Sequence, residues 1–544
     1  MAIAEEAIVL EHQHIGPTWV KTEDGSWLLP ERTLGWEIAG WCSTFLLDPE
    51  GKPWKFTLEQ LRLLLWWYAV DENGEFVYRT GVIQRMKGWG KDPFLAVICL
   101  VEFVGPSRFS HWAEDGSPVG KPHPAAWVQI TAVSQEQTSN TMALMPSLIS
   151  EHMKRTYGIK DGIELIRANN GRQRIQAVTS SYRAIEGKRT TFTVLNETHH
   201  WVVGNGGIKM FETIDGNAFK MNARYLSITN AYLPGEDSVA ENQRASWENI
   251  ESGKAADVKF LYDSIEADPR TPLTVEGLRD ALPVIRGDAI WLNVESIILS
   301  VQNTSIAAAR SRRMWLNQIV AEEDALYDPA QIRAIEDDDA VLLAGDEIVM
   351  GFDGGKTDDA TVLIALRLKD KCAFVLHLQE KPLGPEGDGW MVNRERVDAA
   401  VHDAFRTYDV KGFFADVALW ESYIDSWAEE YGEGLEVKAS GVHPIAWDMR
   451  RSQQTVTRAH ERLMQSIFDA VLRFSTLHTG LRRHTLNAKR KENNYGISFT
   501  KESRESPRKV DAYAALMLAH EAMHQLRTRV SAPKRERTGT GWFF

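Results

Sequence analysis

The chain has 544 residues, 43% hydrophobic and 25% charged. That is the balance of an ordinary globular protein, and the length predicts about two to four domains. The formal net charge of −13 does not advertise nucleic-acid binding, although in a long chain the local field at a groove decides that. Cys42, Cys99 and Cys372 form no CxxC pair, which argues against a disulfide framework or a zinc site and fits a reducing cytoplasm. The first residues lack a basic segment followed by a long apolar core, so no signal peptide is expected. The longest apolar run, "PFLAVICLVEFVG" from Pro93, contains Glu102 and is too short to span a bilayer.

In chain order, residues 1–50 read as an N-terminal extension. Residues 51–240 alternate strand and helix, with "FVYRTGVIQRM", "AAWVQITAVS", "TTFTVLNETHHW" and "ARYLSITNAYL" as strands that end in small or polar residues. Residues 241–345 read as a mostly helical linker, with the acidic "AIEDDDA" near its end. Residues 346–526 form a second α/β region, with strands "EIVMGFDGG", "ATVLIALRL", "CAFVLHLQE" and "KGFFADVAL" and a closing helix "VDAYAALMLAHEAMHQL". Residues 527–544 read as a basic, mobile tail.

"VIQRMKGWGKDPFLAVICLVEF" predicts a strand, a glycine-bearing loop and a helix. That order suits phosphates: glycines let the backbone approach, the helix N-terminus faces the anion, and a lysine reaches its outer oxygens. Gly88, Gly90 and Lys91 fit such a loop, but Arg85 stands where its first glycine would be, and Asp92 replaces the Ser or Thr that holds magnesium. Asp92-Pro93 also reads simply as a helix start. About a hundred residues on, an apolar strand ends in Asn196-Glu197, where a Walker B strand carries one residue for magnesium and the next to activate water. Glu197 fits the second role, and Asn196 is neutral where Asp is expected. The two departures predict an exchange in which Asp92 takes over part of the magnesium shell; the rival is a weakened ATP site. Thr229-Asn230, ending the next strand, has the form of a polar tip that senses the γ-phosphate, or of a plain polar turn.

Asp353 ends the strand "EIVMGFD", Asp416 ends "KGFFAD", and Asp511 opens a helix. Each alone reads as a turn former. Together, from two strand ends and one helix, they can converge at one sheet edge, where carboxylates bind Mg²⁺ or Mn²⁺. Two such ions about 4 Å apart stabilise attacking and leaving oxygens in phosphodiester cleavage. Asp359 is a candidate fourth ligand and Asp358 a solvated neighbour. Gly351, Gly354 and Gly355 are expected to leave room for a phosphate backbone. The basic "LRRHTLNAKRKENN" and "RESPRKVD" read as contacts to DNA phosphates.

A P-loop motor followed by a metal nuclease resembles the large terminase subunit of tailed bacteriophages, from about residue 50 to 525. The resemblance implies an α/β fold: an ASCE-type P-loop NTPase domain followed by a ribonuclease-H-like nuclease domain. "FTLEQLRLLLWWYAV" resembles the helix before the P-loop, with Gln60 facing the adenine. "QRMKGWGKDPFLA" resembles a variant Walker A, with Arg85 or Lys87 as the basic residue beside the phosphates. "SRRMWLNQIV" resembles a segment between motor and nuclease, and "GFDGGKTDDAT", "FFADVALW" and "RKVDAYAALMLAHEA" resemble the nuclease motifs. By this resemblance Glu197 is the ATPase base, Asp353, Asp416 and Asp511 are the nuclease carboxylates, and His484 is a nuclease accessory. The implied cofactors are ATP with Mg²⁺ in the motor and two Mg²⁺ or Mn²⁺ ions in the nuclease. The implied partners are double-stranded DNA, the portal protein, the small terminase subunit and further copies in a ring on the portal, with a monomer when free and no membrane. The implied location is the host cytoplasm, transiently at the procapsid portal, and not the mature virion. Two alternatives are a helicase-like repair ATPase-nuclease, for which no extra helicase motif is found, and a structural packaging component with a degenerate ATP site.

Overall fold

The computed structural model describes residues 10–531 apart from 163, 180–186, 304, 322–323, 383–386, 388, 451–452, 503–505 and 507. It divides into two compact units, Met1–Glu323 and Asp324–Phe544.

The first unit is built on one sheet. In chain order its strands are β1 (Gln13–Ile15), β2 (Thr80–Gln84), β3 (Trp127–Ala132), β4 (Leu165–Ala168), β5 (Gln173–Thr179), β6 (Phe192–Asn196), β7 (Arg224–Thr229) and β8 (Phe260–Glu266). They lie in the order β1-β8-β2-β7-β6-β3-β5-β4. The six central strands are parallel, and β1 and β4 close the two edges antiparallel. Strands β6 and β7 are buried along their whole length, which is why they read as continuous runs rather than alternating ones. The helices that matter for the site are α1 (Leu58–Trp67), α2 (Lys91–Val104) and α3 (Gln135–Leu148). From Phe94 to Val104 helix α2 is buried on every side and, apart from Glu102, apolar on every side. Strand β7 lies between β2, which feeds the glycine loop, and β6, which carries Asn196 at its end. That inserted strand is the ASCE arrangement.

Two expected boundaries are corrected. Strand β1 pairs with β8, so part of the N-terminal extension belongs to the first sheet. Strand β8, inside the expected helical linker, pairs parallel with β2. The segment "SRRMWLNQIV" is tied to the same sheet: Asn317 Nδ2 donates to the Ile265 carbonyl at 2.8 Å. The division therefore falls after Glu323 and not at residue 345.

The second unit holds β9 (Glu336–Asp337), β10 (Glu347–Gly354), β11 (Thr361–Arg367), β12 (Cys372–Gln379), β13 (Asp409–Asp416), β14 (Ala446–Trp447) and β15 (Arg473–Ser475). Their order is β9-β15-β12-β11-β10-β13-β14. Strands β10 to β12 form an antiparallel meander, and β13 joins β10 in parallel. This is the ribonuclease-H-like pattern. Helix α4 (Thr479–Asn487) and helix α5 (Asp511–Ser531) follow. Buried Ala512–Ala519 lay α5 against the sheet. The helix continues past residue 526, into the expected tail; residues 532–544 of that tail lie outside the described residues. Among the described residues no helix is long and apolar enough to cross a membrane.

Candidate nucleotide and nuclease sites

The glycine loop joins β2 to α2. Gly88 (φ 82°) and Gly90 (φ 96°) take left-handed conformations, which a side chain would strain. The turn they make brings Lys91 to the start of α2 with its ammonium folded back into the loop. Its Nζ donates to the carbonyls of Arg85 (3.0 Å) and Met86 (2.9 Å) and to Asn230 Oδ1 (2.5 Å). Burial lowers its pKa to about 8 despite the carboxylates of Asp92 and Glu197. Lys87 is exposed on the loop.

Arg85 departs from expectation. Its guanidinium is fully buried and bound to Glu59 Oε1 (3.0 Å), to the Asp263 carbonyl (2.9 Å) and to the Asp263 carboxylate. It holds α1 and β8 to β2, with its guanidinium committed to these partners. The cause is burial: a fully desolvated guanidinium must be paired, and two carboxylates supply the charge. Gln60 is also engaged: its Oε1 accepts from Thr57 N (3.2 Å) in a capping box that starts α1. Its amide Nε2 lies toward Gly90, 3.8 Å from the position a Cβ would take there.

Asp92, Asn196 and Glu197 come together at the ends of α2 and β6. Burial and the neighbouring Glu197 raise the Asp92 pKa, while a side-chain hydrogen bond from Asn196 lowers it. Asn196 Nδ2 also reaches Gln137 O (3.3 Å) and Thr141 Oγ1 (3.2 Å) on α3. Its buried Oδ1 has no hydrogen-bond partner among the described residues. Glu197 has left-handed backbone (φ 54°) and accepts from Gln137 Nε2 at 2.5 Å. Such backbone is costly for a residue with a side chain and is found where surrounding structure enforces it. An unsatisfied oxygen beside two carboxylates suits a hard cation. His199, not anticipated from sequence, links this end of the site to the end of β7: its Nδ1 lies 3.1 Å from Thr229 Oγ1, and Asn230 N donates to it at 3.4 Å. Burial, then His200, Lys91 and Arg313, hold its pKa well below the usual histidine value, so the ring is neutral. Thr229-Asn230 thus stands between Lys91 and His199.

In the second unit, register brings two aspartates side by side. Phe352 pairs with Ala415 across β10 and β13, so Asp353 and Asp416 are the next residues of strands roughly 4.8 Å apart. Helix α5 supplies the third. Gly351 and Asp353 share a face of the sheet, and a Cβ on Gly351 would lie 1.9 Å from the Ala515 carbonyl oxygen. The helix therefore sits directly on the strand, with Asp511 one turn before Ala515. Burial raises the Asp353 pKa well above the carboxylate range, and Asp511, Asp416 and Asp359 add to it in that order. Burial likewise raises Asp416, which accepts from Met449 N at 3.1 Å, and Asp511. The donor chemistry fits a hard divalent cation. A closed ligand set is not formed: among the described residues no three His, Cys, Asp or Glu side chains stand together as a metal-holding group.

Asp359 pairs with Lys501 (2.6 Å) and, at 3.8 Å, with Lys509. Asp358 is exposed and pairs with Lys381. His484 is buried under Asp511: its Nδ1 accepts from Ala512 N (2.9 Å), and its Nε2 donates to Glu380 Oε1 (2.7 Å). It fixes the start of α5. Glu380, which Arg483 also grips, was missed from sequence, although it directly follows the last residue of β12.

Two expectations fail here. The room beside the glycines is taken by the fold: Gly351 by α5, Gly354 by Trp420 (2.2 Å from a Cβ position to Nε1), and Gly355 by the Asp359 backbone (2.5 Å). The basic runs are partly internal. Arg482 pairs with Glu336, Arg483 with Glu380 and Lys489 with Asp324, while Arg490 and Lys491 are exposed.

The sheet orders and the carboxylate edge define the class: the fold is that of the large terminase subunit of tailed phages. The crystal structure of the HK97 bacteriophage large terminase matches with a TM-score of 0.50 at 14% identity, covering 90% of this chain and 100% of that one. No family model matches the chain. It belongs to the family of the Gene 13 proteins of Mycobacterium phages D29 and L5. It is 41% identical to the D29 protein over an alignment of 585 positions that covers 96% of each chain. Identity to the L5 protein is also 41%, with 93% of each covered.

Proposed function

We propose that this chain drives double-stranded viral DNA into a procapsid by ATP hydrolysis and cuts concatemeric DNA in a metal-dependent reaction. The observation that supports the reading is the electrostatic proximity of Asp511 and Asp416 to buried Asp353 at one sheet edge, in a chain whose other unit sets Lys91 at the glycine loop with Asp92 and Glu197 near it. The reading places the chain in the host cytoplasm, docked transiently on the portal as a ring, with a small terminase subunit delivering DNA.

In the motor, Lys91 and exposed Lys87 bind the outer phosphates, and the left-handed glycines bring backbone close to them. Glu197 takes a proton from the attacking water. Asp92 and Asn196 would hold Mg²⁺, which when bound would neutralise phosphate charge. When the phosphate leaves, Lys91 is free to return to Asn230, and Thr229 and His199 pass that change to the end of β6. In the nuclease, Asp353, Asp416 and Asp511 would hold divalent ions, which when bound would supply charge stabilisation at the scissile phosphate, and His484 keeps the start of α5, and with it Asp511, in place. Arg490 and Lys491 offer their charge to the DNA backbone.

The test is plasmid cleavage with Mn²⁺ by the full chain and by Asp353→Ala, with ATP hydrolysis by Glu197→Gln alongside. Cleavage lost in the first variant and hydrolysis lost in the second support the reading. A parent that cuts no DNA sinks the nuclease half. Cutting without ATP-dependent filling of procapsids sinks the packaging half.

A further inference from the structure

We propose that Trp291 is the platform on which the base of the bound nucleotide stacks, so that the site takes a nucleoside triphosphate and not merely its phosphates. The proposal rests on the ATPase reading above and adds the half of the ligand that the glycine loop does not explain.

Trp291 is 52% exposed, yet it is firmly held. Its Nε1 donates to the Gly88 carbonyl at 3.0 Å. One part of its ring lies 3.0 Å from where a Cβ on Gly90 would be. An indole left half in water forgoes apolar burial. Here the exposed part is fixed in orientation beside the loop that leads into Lys91.

The segment carrying it is clipped on both sides of the ring. Asp288 Oδ2 accepts from Glu59 N (2.7 Å), and Glu59 Oε2 accepts from Asp288 N (3.2 Å). The Leu292 carbonyl accepts from Arg286 Nη1 (2.7 Å). The Leu292 side chain comes within 2.7 Å of the Cβ position of Gly88. Glycine at 88 and 90 therefore serves two purposes: left-handed backbone for the turn, and clearance for this segment.

Gln60 completes the argument. Trp291 and the Gln60 amide approach the same glycine, Gly90, from different elements. A planar π-surface beside an amide able to hydrogen-bond a ring edge is the chemistry that recognises a nucleobase. Stacking tolerates any base because each has a π-face. Trp291 accordingly supplies affinity without choosing adenine, and any choice falls to Gln60.

The experiment is calorimetric titration of the full chain and of Trp291→Ala and Trp291→Phe with ATP, GTP and inorganic tripolyphosphate. Removing the ring is expected to weaken ATP and GTP alike, roughly tenfold or more, and to leave tripolyphosphate unchanged. Trp291→Phe keeps a π-face without the Gly88 hydrogen bond and is expected to hold ATP within about threefold of the parent. Equal weakening of tripolyphosphate overturns the proposal, because the residue then only shapes the loop. Unchanged ATP binding in Trp291→Ala overturns it too. A parent that binds neither ATP nor tripolyphosphate rejects the ATPase reading itself, and the platform with it.

Discussion

Gly351 and Ala515 touch backbone to backbone: a Cβ on the glycine would fall 1.9 Å from the Ala515 carbonyl oxygen and 2.5 Å from Ala519 N. Neither atom belongs to a side chain that could swing away. Gly351→Ala must lift α5 off β10 and carry Asp511 from Asp353. The expected cost is about 2–3 kcal/mol of stability in urea unfolding, with loss of Mn²⁺-dependent cleavage. An alanine variant as stable and as active as the parent would show that the helix is not seated this way.

Lys91 and Arg85 are six residues apart and predict opposite phenotypes. Lys91→Ala removes a buried ammonium held by two carbonyls and an amide. ATP turnover is expected to fall roughly 100-fold or more, with the melting temperature held or raised. Arg85→Met strands Glu59 and Asp263 without their cation, at roughly 3–5 kcal/mol. Melting curves and ATP hydrolysis for both variants decide it. A well-folded Arg85→Met chain that has lost only nucleotide affinity would return Arg85 to the phosphates.

Asp92 and Asn196 are hydrogen-bonded neighbours with Glu197 beside them. A third carboxylate at 196 would crowd like charges into a half-buried pocket. Asn196→Asp is therefore expected to lower turnover, Asp92→Ser to lower it as well, and the double variant to recover part of the loss. ATP hydrolysis across the four proteins measures the coupling. A double variant no better than Asp92→Ser would end the exchange idea.

Glu380 gives the second unit an acid limb. Burial pushes its pKa up, but His484 and Arg483 overcome that and hold it down to about 2, from an ordinary 4.5. Because the folded value is depressed, its contribution is complete above about pH 4.5 and is lost as pH falls toward 2. With the side chain 27% exposed, roughly 2 kcal/mol is at stake after screening. Urea unfolding at pH 6, 4.5 and 3 is expected to show a steeper decline for the parent than for Glu380→Gln. Parallel declines would remove Glu380 from that role.

Much of this was legible in the chain. Asp353 and Asp416 stand at the ends of apolar runs and Asp511 at the head of a periodic helix, and periodicity reports such positions directly. Lys91 follows a left-handed glycine, again a local signal. What failed was non-local. Arg85 falls at a motif position facing phosphate, but its carboxylate partners lie 26 residues before it and 178 after it. Gly351 reads as open space until α5 arrives from 160 residues away. Trp291 carries no local signature, because its meaning comes from Gly88 and Gly90. Strand β8 was hidden inside a helical stretch, since seven residues seldom outweigh their surroundings in a sequence window.

The reciprocal clasp between Glu59 and Asp288 bears on how mutational surveys of this protein should be interpreted. Glu59 also binds Arg85 and Trp89 Nε1, so three separate stretches of chain meet at one carboxylate behind the glycine loop. Damage at any of them would loosen the loop's rear support and show up as poor ATP affinity. A substitution scan scored on affinity alone would thus draw a binding surface far larger than the one the ligand touches, and parallel melting data would be needed to trim it.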